Sequence, residues 1–196
     1  PFIETESGTA SPLLHELAAK ACTIVTDEYP CFFHPTMIRV ARNRLPARLE
    51  LVDSNGVIPL RTPERTFTVA HSYRRWMQKN ILDHLMEMPK EDPLRGVKLP
   101  RLDSLPKPIL KKWPPSDLSH FIDGGGIQSL PIDHGVKVST TVIGGAAEAK
   151  SRLDRFLNRN LAVYGTDRNH PDERVTTGLS PHLHFGHISA HEIVRQ

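Results

Sequence analysis

The residues best suited to chemistry lie near the end of the chain, in Thr176-Thr177-Gly178-Leu179-Ser180-Pro181-His182-Leu183-His184-Phe185-Gly186-His187-Ile188-Ser189. Two hydroxyls, a glycine and a Ser-Pro pair ahead of an apolar run make a loop that receives an anion on a helix start. Ser180 is read as the N-cap, its oxygen accepting from an early amide, and Pro181 suits the first helical turn because its missing N–H is not needed there. The unpaired amides and the positive end of the helix dipole then face the ligand, for which a pyrophosphate is a fitting guest. The same pattern also caps helices that bind nothing, so the rest of the chain must discriminate.

The stretch holds a second candidate. His182, His184, His187 and His191 fall within ten residues, and on a continuous helix His184, His187 and His191 share a face. Zinc is bound by histidines at such spacings. No cysteine lies near enough to complete the set, although Glu192 is available, and no metal site is expected. No acid/base pair or nucleophile is assigned anywhere in the chain.

These residues need a scaffold, and the front of the chain alternates helix and strand. Ser11-Pro12 start a helix through Leu13, Leu14, Leu17 and Ala18, and Cys22 to Asp27 is a β-branched run ending in an acid. Pro35 opens a second helix with Met37, Ile38, Ala41 and Leu45 at helical spacing. A second run, Arg48 to Asp53, ends like the first and is followed by the turn Ser54-Asn55-Gly56. Strand, helix, strand with short loops predicts parallel strands and a Rossmann-like α/β unit. Asp27 and Asp53 then stand at the edge where such sheets keep a ligand crevice, as part of a nucleotide or chromophore site or simply as caps of the next turns. No G-x-G-x-x-G follows either strand.

A helix is predicted from Ala70 to Glu87, with Tyr73, Trp76, Met77, Ile81, Leu85 and Met88 as a core stripe. Seven prolines between Pro89 and Pro115, interleaved with basic residues such as Lys90, Arg101 and Lys107, forbid a long helix or a central strand. That segment reads as a connector running over a surface. The triplet Gly124-Gly125-Gly126 lacks a preceding strand and a following Lys-Ser or Lys-Thr, so it is not read as a phosphate loop. Gly144-Gly145 release a helix to about Tyr164, with Leu153, Phe156, Leu157, Leu161 and Tyr164 on one face and Arg152, Arg155 and Arg159 elsewhere around it.

Composition bounds the class. With 38% hydrophobic and 24% charged residues among 196, the chain is an ordinary globular sequence, with no apolar run long enough for a membrane span and no leader pattern. It opens on Pro1 and stops at Gln196 inside a predicted helix, as expected of a piece of a longer protein. The net charge of +3 is concentrated between residues 61 and 112, where 12 basic side chains face 6 acidic ones; a solvated linker and a phosphate-binding face both explain this. Cys22 and Cys31 form no C-x-x-C pair and read as free thiols of a reducing compartment.

The order Leu153-Asp154-Arg155-Phe156-Leu157, Tyr164, Arg168-Asn169, and Thr177-Gly178-Leu179-Ser180-Pro181 followed by Leu183-His184-Phe185-Gly186 and Ile188-Ser189 resembles the photolyase/cryptochrome flavoproteins. The Thr-Gly-Leu-Ser-Pro form is most similar to their class II DNA photolyase branch. The detailed resemblance covers about 50 residues from Gly144 onward. It implies an α/β fold class: a Rossmann-like parallel-sheet antenna domain at 1–88, a proline-rich linker at 89–143, and at 144–196 the first helices of an all-α FAD-binding domain. It also implies light-driven splitting of cyclobutane pyrimidine dimers in UV-damaged DNA by electron transfer from reduced FAD, with a second antenna chromophore as a further possible cofactor.

Carried over by position, Tyr164 and Thr176, Thr177, Gly178, Leu179 and Ser180 are the expected FAD contacts, and Arg168 the expected DNA contact. His184 is expected to pack inside its helix. His182 departs from the branch, which more often has an aromatic there. Trp76 and Trp113 are not assigned to an electron relay. A monomer without membrane association is expected, cytoplasmic or, in a eukaryote, nuclear. The alternatives are a cryptochrome, which binds the same FAD and signals light without repair, and a non-enzymatic α/β module binding a nucleotide or partner through its basic connector.

Overall fold

The computed structural model describes residues 2–4, 6, 8–100, 102–122 and 125–196. Arg101 of the connector and Gly124 of the glycine triplet lie outside these residues. The chain forms two compact units, one from residues 1–53 and 92–137, the other from 54–91 and 138–196. Mixed helix and a small parallel sheet make it compatible with the α/β class.

In the first unit, helix α1 (Ala10–Ala18) leads to strand β1 (Thr23–Asp27), helix α2 (His34–Arg44) and strand β2 (Arg48–Val52). The strands pair in parallel from Thr23 opposite Arg48 to Asp27 opposite Val52, as the short strand-helix-strand spacing predicts. Their carboxyl ends therefore share an edge, and the Glu28 amide extends it by donating to the Val52 carbonyl at 2.8 Å. Along α2, Ile38, Ala41 and Leu45 are half-buried at i, i+3 and i+7. An open pocket between α2 and β2 is lined by Ile38, Arg42, Ala47, Arg48, Leu49 and Leu51. Cys22 and Cys31 are exposed and unpaired.

The proline-rich segment does more than run over a surface. It forms short helices α4 (Lys107–Lys112) and α5 (Ser119–Ile122) and a 3₁₀ turn at Gly125–Ser129. Ile109 and Trp113 are buried. The Trp113 indole N–H donates to the Thr9 carbonyl at 3.2 Å, and the Ser116 hydroxyl accepts from the Ile3 amide at 2.9 Å. Proline density excludes a long helix but neither short ones nor burial: the apolar turn between Pro106 and Pro114 packs against the N-terminal segment.

In the second unit, helix α3 (Ala70–Met86) carries five of the six predicted stripe residues, Met88 lying just past its end; all six are half-buried and none fully so. Phe67, Tyr73 and Trp76 cluster, with ring centroids 5.5 to 6.0 Å apart. Helix α6 (Ala146–Arg155) runs into a π turn at Phe156–Asn160, and helix α7 (Tyr164–Asp167) follows. The π turn breaks the predicted stripe. Leu153 and Phe156 are buried, but Leu161 is 52% exposed. Its amide reaches back five residues to the Phe156 carbonyl at 2.9 Å, so one surplus residue rotates Leu161 off the packed face.

The core of this unit is Ala149, Leu153, Leu179 and Ile188, with Leu157 and Ile193 against it. It joins α6 to two short helices, α8 (Ser180–His184) and α9 (Ala190–Arg195). Ser189 caps α9, its hydroxyl accepting from the Glu192 amide at 3.0 Å in a Ser-x-x-Glu pattern. No helix of the described residues is long and apolar enough to cross a membrane.

Candidate functional site

The loop ahead of α8 is fixed from both sides. Val175 and Leu179 are buried and anchor it, while Thr176 and Gly178 between them, and Ser180 just after, are exposed. Gly178 has φ +63°, a left-handed conformation that costs a residue with a Cβ about 1–2 kcal/mol. The Thr177 hydroxyl oxygen accepts from the Leu179 amide at 3.3 Å, so this side chain folds the loop. Leu179 is the N-cap of α8 and Ser180 its first helical residue, with no side-chain cap. The expected Ser180 cap is thus displaced by one residue, and the Ser180 hydroxyl is left at the surface.

Helix α8 ends abruptly, which corrects two readings of the histidines. Gly186 takes φ +67°, its amide donates to the Leu183 carbonyl at 3.2 Å, and the His187 amide donates to the His182 carbonyl at 2.8 Å. These are the paired hydrogen bonds of a Schellman terminus, and it places the His182 and His187 rings in contact at 5.7 Å. His184, His187 and His191 therefore do not share a helical face. Among the described residues no group of three or more His, Cys, Asp or Glu could hold a metal ion. The histidine that packs is His182, 1% exposed, whereas His184 is exposed. Among the described residues neither His182 ring nitrogen has a hydrogen-bond partner. His187 accepts at Nδ1 from the Gly145 amide at 3.0 Å, tying the end of α8 to the start of α6.

Tyr164 opens α7 and is half-buried, its ring edge-on to Phe156 at 5.4 Å. The Arg168 guanidinium lies 5.6 Å over the Tyr164 ring, so the two expected contacts form one cluster. Thr176 to Ser180 form another, and among the described residues no hydrogen bond or ring contact joins the two.

One residue at the loop was not expected. Arg152 of α6 is 21% exposed in its side chain and donates from Nε to Glu148 at 2.7 Å. A Cβ at Gly178 would lie 3.2 Å from Arg152 Nη1. Helical spacing puts Arg152 beside the buried Leu153 and off the apolar stripe, which by itself says only that it faces a boundary. The glycine 26 positions later gives it a neighbour.

The fold and the loop define a chain with a small α/β unit and a helical unit holding a hydroxyl-rich loop; no family model matches it. Sequence relatives are more specific. The chain is 24% identical over 175 residues to the deoxyribodipyrimidine photo-lyase of Potorous tridactylus, covering 87% of this chain and 30% of that protein. It is 30% identical over 147 residues to that of Arabidopsis thaliana, covering 71% and 27%. A 38-residue segment is 58% identical to the enzyme of the same name from Oryza sativa subsp. japonica, covering 19% and 8%. These similarities support the photolyase family. The chain spans less than a third of the length of these relatives.

Proposed function

We propose that this chain is part of a DNA photolyase of the class II type, and that the whole protein splits cyclobutane pyrimidine dimers in UV-damaged DNA with light. In this reading residues 1–88 belong to an antenna domain, 89–143 link it, and 144–196 begin the FAD-binding domain. The observation that carries it is the 176–180 loop. Thr176, Gly178 and Ser180 are exposed, the buried Val175 and Leu179 anchor the loop, and Gly178 takes a left-handed conformation.

The residues present fit a dinucleotide. A Cβ at Gly178 would meet only Arg152 Nη1, and Thr176 and Ser180 on either side of it offer exposed hydroxyl donors. Short donors approaching together are what a pyrophosphate requires. Thr176, Gly178 and Ser180 would hold the phosphates, Thr177 and Leu179 hold the loop, Tyr164 would contact the cofactor and Arg168 would contact the DNA. Reduced FAD, when bound and excited by light, would lend the electron that opens the dimer and take it back once the ring has split. The chain's own part is binding and orientation.

The test is light-dependent loss of dimers from UV-irradiated DNA by the full-length protein, with its flavin absorbance recorded alongside. Dimers disappear in the light and persist in the dark. Bound flavin without repair points to a cryptochrome-type receptor, and a full-length protein that stays colourless after refolding with FAD overturns the reading.

A further inference from the structure

We propose that Arg152 is the cation that neutralises the anion held by the 176–180 loop, and that Glu148 is the residue that aims it; this rests on the FAD reading above. The simpler role for Arg152 is an i,i+4 surface pair with Glu148, which stabilises a helix only slightly. Three observations go beyond that role. The pair is mostly covered, with side-chain exposures of 21% and 25%. It engages only Nε, and among the described residues no other hydrogen bond from Arg152 is present, so both terminal nitrogens of the fork keep their donors. One of them, Nη1, is 3.2 Å from the position a Gly178 Cβ would take. The guanidinium therefore lies near Gly178, the one residue of the loop that has no side chain.

This arrangement solves a charge problem. Hydroxyls and amides orient a pyrophosphate but leave its charge uncompensated, and a short helix such as α8 contributes only a partial charge. A guanidinium fixed through Nε by a carboxylate presents its remaining N–H groups without the entropy loss of a free arginine. Lysine keeps the charge but lacks a second donor set for the Glu148 anchor.

The test uses the full-length protein and two probes, FAD and riboflavin, the latter having no phosphate. Wild type, Arg152→Gln and Arg152→Lys are titrated with each at low and high salt. Arg152→Gln is expected to weaken FAD affinity about 10- to 100-fold, the range of a charge-assisted hydrogen bond, and to flatten its salt dependence, with riboflavin affinity unchanged. Arg152→Lys is expected to recover part of the loss. Equal weakening for both probes means a structural role and overturns the inference, as does a Gln variant that binds FAD like wild type; either result leaves the FAD reading standing. A wild type that binds riboflavin and FAD equally well overturns the phosphate assignment of the loop together with Arg152. A wild type that binds neither overturns the FAD reading itself.

Discussion

The His187 ring accepts at Nδ1 a hydrogen bond from the Gly145 amide, 3.0 Å away and 42 positions earlier in the chain. The contact fixes the first turn of α6 against the Schellman terminus of α8, and its neighbourhood is tight: a Cβ at Gly144 would lie 3.2 Å from His187 Cε1. His187→Phe keeps a ring against His182 and removes the acceptor. It is expected to cost about 0.5–1.5 kcal/mol, read as a lower midpoint of thermal unfolding. A variant that melts with wild type refutes the tie.

The π turn makes opposite predictions for two leucines of one expected stripe. Leu153→Ala empties a buried position and is expected to cost about 2–5 kcal/mol. Leu161→Ala acts at an exposed one and is expected to stay within about 0.5 kcal/mol of wild type. Chemical denaturation of both variants checks this; similar losses would mean that the helix continues in α register.

His182 is buried without a hydrogen-bond partner among the described residues, a condition that costs about 1–3 kcal/mol for a polar group. His182→Phe is expected to raise the melting temperature while leaving the far-UV circular dichroism unchanged. A marked loss of stability would show that the imidazole is paired.

The loop hydroxyls divide by task. Thr177→Val removes the acceptor of the Leu179 amide and is expected to lower both stability, by about 1 kcal/mol, and FAD retention. Ser180→Ala has no such bond to lose and is expected to lower FAD retention alone. Flavin content and melting temperature of the two variants, measured together, separate the roles; loss of stability in both would contradict the division.

Acid sensitivity is expected at α5. The Ser119 hydroxyl, and after it the Ser119 amide, hold the Asp117 carboxyl below its ordinary range. A depressed carboxylate stabilises the fold above its unfolded-state pKa, and that contribution disappears as pH falls through the folded value. Asp117→Asn therefore is expected to differ from wild type at neutral pH and to converge with it in acid below the usual aspartate range, as followed by unfolding at a series of pH values.

What the sequence made legible followed from local periodicity. The parallel pair of β1 and β2, the stripe of α3 and the start of α6 need only spacing and turn residues, and each lies where its pattern put it. Three features do not reside in periodicity. The π turn is a hydrogen-bond shift with no residue signature, so Leu161 fell on the wrong face. Gly186 carries the signal for ending α8, yet the apolar run across it reads as continuous helix, which misplaced the histidines and made His184 the packed one. Arg152 was visible only as a cation on a helix, because its meaning comes from Gly178, 26 residues away, and no local pattern relates the two.

The surplus residue in the π turn also makes the chain intolerant of a length change that looks harmless. Removing one residue from Leu157 to Asn160 would restore the ordinary α-helical hydrogen-bond spacing through this turn. It would also swing everything beyond by about 100° around the axis. Tyr164 would leave Phe156, and Arg168 would travel with it. A single-codon deletion there is thus expected to yield a turn that is locally better bonded and a protein in which the Tyr164–Arg168 pair has lost its place against Phe156.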